Sequence, residues 1–93
     1  MIELYIKFPG WLIDAVKSRT SFPDDPARMG FVVDLARQNV EQGSGGPFGA
    51  AVFDCESGEL VSAGVNLVTR SNLSVCHAEI LALSAAQRRL RQY

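Results

Sequence analysis

The sequence is poorest in the residues from which a metal site or a disulfide scaffold is usually read. It holds one histidine, His77, and two cysteines, Cys55 and Cys76. Two such cysteines make neither a disulfide framework nor a C-x-x-C pair, and a reducing compartment keeps them as thiols. No apolar run approaches the ~20 residues of a membrane helix. The first residues carry no charged-then-apolar leader pattern, so the expected location is the cytoplasm. Charge of one sign is also missing. Nine Lys and Arg against ten Asp and Glu leave a net charge of −1, which calls for neither a nucleic acid nor an acidic membrane as partner. The one basic cluster, Arg88, Arg89 and Arg91, closes a helix, where cations complement the helix dipole. No internal repeat or low-complexity tract appears.

What is there is ordinary globular material. A chain of 93 residues, 47% apolar and 20% charged, makes one small domain with a modest core. In residues 1–24, "IELYIKF" alternates like a strand and "PGWLIDAVKS" begins a short helix at Pro9. This stretch reads as an N-terminal extension. "SRTSFPDD" is a polar connector. Asp25-Pro26 then suits a helix start, with Asp25 capping. Met29, Val32, Val33, Ala36 and Val40 follow at the spacing of an amphipathic helix that ends at Gly43.

After the loop "GSGGP", "FGAAVFD" and "ELVSAGVN" read as two strands. "CESG" between them is short enough for an antiparallel hairpin. "LVTRSNLS" reads as a loop. From about Cys76 a second helix carries Ile80, Leu83, Ala86 and Leu90 on one face, broadened by Leu81 and Ala82, with Ser74 or Asn72 as its cap. The order is helix, strand, strand, helix, an α/β arrangement. A lone hairpin between two helices is thin, and the last helix has apolar surface for more chain or a second copy to cover.

Four places in this frame invite chemistry. His77 and Glu79 stand at the start of the last helix, where unpaired N–H groups favour an anion or a metal-bound hydroxide. Imidazole is a good zinc ligand, and a carboxylate two residues on is able to move protons without binding the metal. Residues i and i+2 point about 200° apart round a helix, so both reach one site only over its open end. A lone histidine near a helix start is more often a structural residue, and the residues alone leave both readings open.

The glycine-rich "GSGGPF" is not a phosphate loop, since it follows a helix, opens a strand, and has Phe48 where G-x-G-x-x-G needs its last glycine. Gly45 and Gly46 are expected to adopt unusual backbone angles, in a turn that presents Phe48 as a wall for a flat base. Asn66 ends the second strand either as a turn residue or as an amide that reads a base edge. Cys76 reads as a small buried residue more readily than as a thiol ligand.

Together "GGPFGAAVF", "SAGVNLV" and "CHAEILAL" resemble the cytidine-deaminase-like superfamily of zinc-dependent deaminases, and within it the guanine and related nucleobase deaminases. The resemblance spans roughly residues 26–91 and follows the family's motif order. It implies the layered α-β-α fold of that superfamily, with residues 25–93 as the first half of a deaminase domain. It implies Zn2+ as cofactor, His77 as a zinc ligand and Glu79 as general acid/base. Asn66, Phe48 and Ala78 would contact the base. The implied reaction is hydrolytic deamination of a purine nucleobase, guanine favoured, by zinc-bound hydroxide, in a homodimer.

Two departures stand out. Cys76 replaces the alanine common before the histidine. The P-C-x-x-C half of the family's motif is nowhere in the chain, which runs only sixteen residues past His77. The remaining zinc ligands are therefore expected beyond Tyr93, in a longer protein. The alternatives are a tRNA adenosine deaminase or a cytidine/deoxycytidylate deaminase and, in a different class, a non-catalytic remnant kept for dimerisation or partner binding. A fragment that does not fold alone is a third possibility.

Overall fold

A computed structural model describes residues 2–93. Its elements are α1 (Gly10–Ser18), α2 (Asp25–Glu41), β1 (Gly49–Phe53), β2 (Leu60–Val65), α3 (Val68–Ser71) and α4 (Ala78–Leu90). The structure is mixed α/β and contains the expected helix–strand–strand–helix order as α2, β1, β2 and α4, with β1 and β2 antiparallel. Gly49 lies opposite Val65, and the register slips by one residue between Val52 and Phe53.

The hairpin turn is built by Asp54, whose carboxylate accepts the N–H groups of Glu56 and Ser57, both at 2.9 Å. Gly58 follows with φ +73°. The Cβ that Gly49 lacks would point into α2, and the one Gly64 lacks would point into α4. The two helices therefore cover opposite faces of the hairpin. Leu12, Leu35, Ala63, Val65, Leu67, Cys76 and Leu81 form the buried cluster between them. A second apolar group packs Phe22 against Phe31 and Phe53, tilted and edge-on, with ring centroids 5.0 and 5.2 Å apart. Burying such side chains contributes roughly 1.5–3 kcal/mol each.

Several local expectations are corrected. "IELYIKF" forms no strand, and Ile2, Leu4 and Tyr5 are exposed. Leu4, Ile6 and Phe8 instead line a groove with Leu81, Ala85 and Arg88 of α4, and the start of the outer edge of β2 is occupied by other groups. Phe22 donates to Gly58 and Leu60 donates to Thr20, while the Arg89 guanidinium donates to the carbonyls of Leu60 and Val61. The helix at Pro9 is present as α1. The cap of α2 is Asp24 rather than Asp25, and its Oδ1 accepts from Ala27 N–H at 2.9 Å. Part of "LVTRSNLS" forms the short α3. Neither Asn72 nor Ser74 caps α4, because His77 occupies that position.

The buried faces also differ from the sequence pattern. On α2, Leu35 and Asn39 are buried, while Met29, Val33 and Val40 face solvent. On α4, Ala78, Leu81, Ala82 and Ala86 are buried, while Ile80, Leu83 and Leu90 are exposed. Small residues win on α4 because Gly64 lets the helix approach the sheet to near contact. Ser62 Oγ then donates to the Ala82 carbonyl at 2.6 Å.

Candidate functional site

The start of α4 is open. His77 is its cap residue with extended backbone (φ −72°, ψ 149°), and among the described residues no side chain caps the helix. The first intrahelical bond runs from Leu81 N–H to the His77 carbonyl at 3.0 Å. The preceding helical N–H groups therefore face outward at the positive end of the dipole. His77 precedes the helix, so the 200° separation of helical i and i+2 residues does not apply to it. The His77 and Glu79 side chains are both more than half exposed and lie on the same side, with Nδ1 3.9 Å from Oε1. Ala78, between them, is buried against the hairpin.

Cys76 turns the other way. Its side chain is fully buried in the core, as expected of a small apolar residue, while Cys55 is exposed in the hairpin turn. The Cys76 carbonyl accepts the N–H of Leu67 at 3.0 Å, and the Asn66 N–H donates to the Phe48 carbonyl at 3.2 Å. Two backbone hydrogen bonds thus gather three distant motifs: the loop before β1, the exit of β2 and the start of α4.

The Phe48 ring is more than half exposed. Asn66 has a turn role as well as an open one. Its Oδ1 accepts from Val68 N–H at 3.2 Å, fixing the entry to α3. Among the described residues, no hydrogen bond uses its Nδ2, which remains a free donor. Gly45 of this loop acts through space rather than through backbone angle. Positive φ occurs at Gly43 and Gly58 but at neither Gly45 nor Gly46. Any Cβ on Gly45 would instead collide with the Asn66 carbonyl oxygen.

Three residues without a functional signal in the sequence meet behind this loop. Asn39, buried on α2, donates through Nδ2 to the carbonyls of Gly46 and Asn66, both at 2.9 Å. Ser44, also buried, accepts at Oγ from the indole N–H of Trp11 at 2.8 Å. The available signal was a polar residue, Asn39, on a helix stripe otherwise filled by Val32 and Leu35.

An apolar groove of about 250 Å³ lies elsewhere, among Phe8, Leu12, Val16, Val61 and Ala85. Its lining includes none of Phe48, Asn66, His77, Ala78 and Glu79. As for a metal, among the described residues no three His, Cys, Asp or Glu side chains cluster closely enough to hold one. His77 offers a single accessible imidazole, which fits one ligand position but not the three protein ligands of a catalytic zinc site.

Residues 24–93 match the family model described as the cytidine and deoxycytidylate deaminase zinc-binding region. The guanine deaminase of Bacillus subtilis (strain 168) is 41% identical over 61 residues, which cover 66% of this chain and 38% of that protein. Among solved structures, the guanine deaminase from Nitrosomonas europaea superposes with a TM-score of 0.89 at 43% identity, covering 97% of this chain and 49% of that one. A complex with 2,6-diaminopurine gives a TM-score of 0.88 at 44% identity, covering 95% and 46%. The guanine deaminase structure from Bacillus subtilis gives 0.68 at 35% identity, covering 76% and 44%. The chain spans about half the length of these relatives, or less.

Proposed function

The chain belongs to the cytidine and deoxycytidylate deaminase zinc-binding family, an enzyme family, and on that premise we propose that it contributes the base-binding and proton-transfer half of a purine nucleobase deaminase acting on guanine. One observation carries this reading. Two backbone hydrogen bonds, Asn66 to Phe48 and Leu67 to Cys76, draw an exposed ring, a free amide donor and an imidazole–carboxylate pair around one open helix end. Phe48 stacks on the flat base. The Asn66 Nδ2 donates to a ring or exocyclic acceptor, such as the guanine N3 or O6 edge. Ala78 closes the pocket floor between His77 and Glu79.

Glu79 accepts a proton from the attacking water and returns it to the departing amine, so that ammonia and a 2-oxo purine are the products. The unpaired N–H groups at the start of α4 stabilise negative charge that develops beside them. Bound zinc supplies a Lewis acid that makes water nucleophilic near neutral pH. His77 would hold such an ion through one of the three protein-ligand positions that a catalytic zinc site requires.

The same reading treats residues 25–93 as the first half of the deaminase domain, in a cytoplasmic homodimer. The exposed Met29, Val33 and Val40 of α2 are the surface available to pair, and sedimentation of the protein tests it. The decisive assay uses a complete, zinc-loaded deaminase that contains this chain and offers it guanine, cytosine and an adenosine-containing RNA stem-loop separately. Ammonia release from guanine alone is the expected result. Release from cytosine or the RNA, with none from guanine, rejects the substrate assignment.

A further inference from the structure

Asn39 is fully buried on a helix face where an apolar side chain would cost nothing to desolvate. Its Nδ2 is nevertheless committed, while the buried Oδ1 has no hydrogen-bond partner among the described residues. Nδ2 carries two N–H groups in one plane, and each has a backbone carbonyl, Gly46 O and Asn66 O, at 2.9 Å. Those two donations settle which end of the amide is nitrogen. Gly46 O also accepts the Phe48 N–H at 2.8 Å, so one end of this brace grips the turn that aims Phe48. The other end grips Asn66 itself.

The backbone carbonyl of Asn39 adds to the grip, accepting Ser44 N–H at 3.0 Å and Gly45 N–H at 3.3 Å. Ser44 in turn takes the Trp11 indole N–H at 2.8 Å. A continuous line of hydrogen bonds thus runs from α1 through Ser44 and Asn39 to both residues read above as contacting the base.

We propose that Asn39 is a positioning residue for nucleobase binding, setting the separation of Phe48 and Asn66, and that Trp11 extends this brace to α1. The proposal rests on the reading of Phe48 and Asn66 as base contacts. Its physical reason is that a stacking ring and an amide donor serve the same planar ligand only when held within about half an ångström of the required spacing. An apolar residue at 39 would pack as well but would leave the two carbonyls unbridged, with the Asn66–Phe48 backbone bond at 3.2 Å as the remaining tie between the two segments. The N-terminal segment thereby gains a role in the site without touching the ligand.

The test uses Asn39→Asp, which keeps shape and removes both donors, and Trp11→Phe, which keeps a ring and removes one N–H. Two quantities are read well below the melting midpoint. One is the Kd for 2,6-diaminopurine by calorimetry, and the other is amide hydrogen exchange at Phe48 and Asn66. The expected result is a Kd raised about tenfold in Asn39→Asp and about threefold in Trp11→Phe, with faster exchange at both amides. A role confined to stability lowers the melting midpoint but leaves Kd and these amides unchanged, and that outcome overturns the proposal. If Asn39→Asp does not fold, Trp11→Phe decides by the same two readings. If the parent protein binds no purine, the base-binding reading fails on its own. Exchange at Phe48 and Asn66 then decides the brace: selective acceleration in the variants upholds it, and unchanged rates reject it.

Discussion

Leu67 donates its backbone N–H to the carbonyl of Cys76 across 3.0 Å, and this bond closes the loop containing α3 into a ring. Each partner is one residue from a candidate site residue, Asn66 on one side and His77 on the other. The ring is reinforced from within, since Ser71 Oγ donates to the Leu67 carbonyl at 2.7 Å and Cys76 N–H donates to the Leu73 carbonyl at 3.1 Å. The start of α4 therefore has a fixed height above the exit of β2, and substitutions under α4 are felt at His77.

Gly64→Ala tests that coupling. The new Cβ would press on the Ala78 carbonyl and lie 2.7 Å from the Ala82 nitrogen, and a helix backbone does not yield as a flexible side chain does. The expected cost is about 1–3 kcal/mol, or roughly 4–8 °C in melting midpoint per kcal/mol for a domain this size. A thermal melt unchanged within 2 °C or so would show that α4 rides higher on the sheet than described.

Gly45→Ala and Gly46→Ala form a contrasting pair. At Gly45 the added Cβ collides with the Asn66 carbonyl and lies 3.0 Å from Asn39 Nδ2, so the expected loss is again about 1–3 kcal/mol. At Gly46 the nearest atoms are Phe48 ring carbons at 3.4 Å or more, and the expected loss is within about 0.5 kcal/mol. Chemical denaturation of both variants measures the difference. Equal losses would mean that both glycines are needed for backbone freedom, which contradicts their ordinary φ values.

The element order was legible because its punctuation is local chemistry. Asp25-Pro26 marks the opening of α2, Gly43 its close, and the turn CESG with Gly58 the hairpin. The buried faces were not legible, because both main helices carry two apolar stripes. On α2, Asn39 interrupts the true stripe with a carboxamide, so the periodicity followed Met29, Val33 and Val40 outward. On α4 the inner face is made of alanines, whose small size matters only against Gly64, a contact between residues far apart in sequence. The candidate site was legible at Phe48, Asn66, His77 and Glu79 as residue types in motif order. Trp11, Asn39 and Ser44 carry no motif, and only the tertiary fold brings them behind the loop.

Glu79→Gln separates chemistry from folding. The Glu79 side chain is largely exposed, and its nearest charged partner, His77 Nδ1, is 3.9 Å away, so an uncharged isostere leaves packing intact. Surface changes of this kind usually alter stability by no more than about 0.5 kcal/mol. Loss of a positioned proton carrier costs about 10²–10⁴ in rate. If Glu79 has the proposed role, the complete deaminase containing this substitution shows unchanged melting and unchanged purine binding but kcat reduced by that factor. A variant with near-normal turnover would move the proton-transfer role to another residue.

Asp54 gives the hairpin a pH response of defined sign. The backbone N–H groups of Ser57 and then Glu56 hold its carboxyl below the ordinary value of 3.8, because they bond the ionised form. A folded-state value below the unfolded one means that the stabilisation is complete above about pH 4 and drains as pH falls through the folded value. The Glu56 and Ser57 amide resonances should therefore hold their bonded positions down to the ordinary aspartate range and shift only below it. Their exchange should accelerate over the same interval. Asp54→Asn keeps an oxygen acceptor but cannot ionise, so it removes that titration while the neutral-pH turn persists in weakened form. Resonances that titrate at or above 3.8 would mean that the carboxylate is not gripped by the turn, and that Gly58, with its left-handed backbone, sets the hairpin alone.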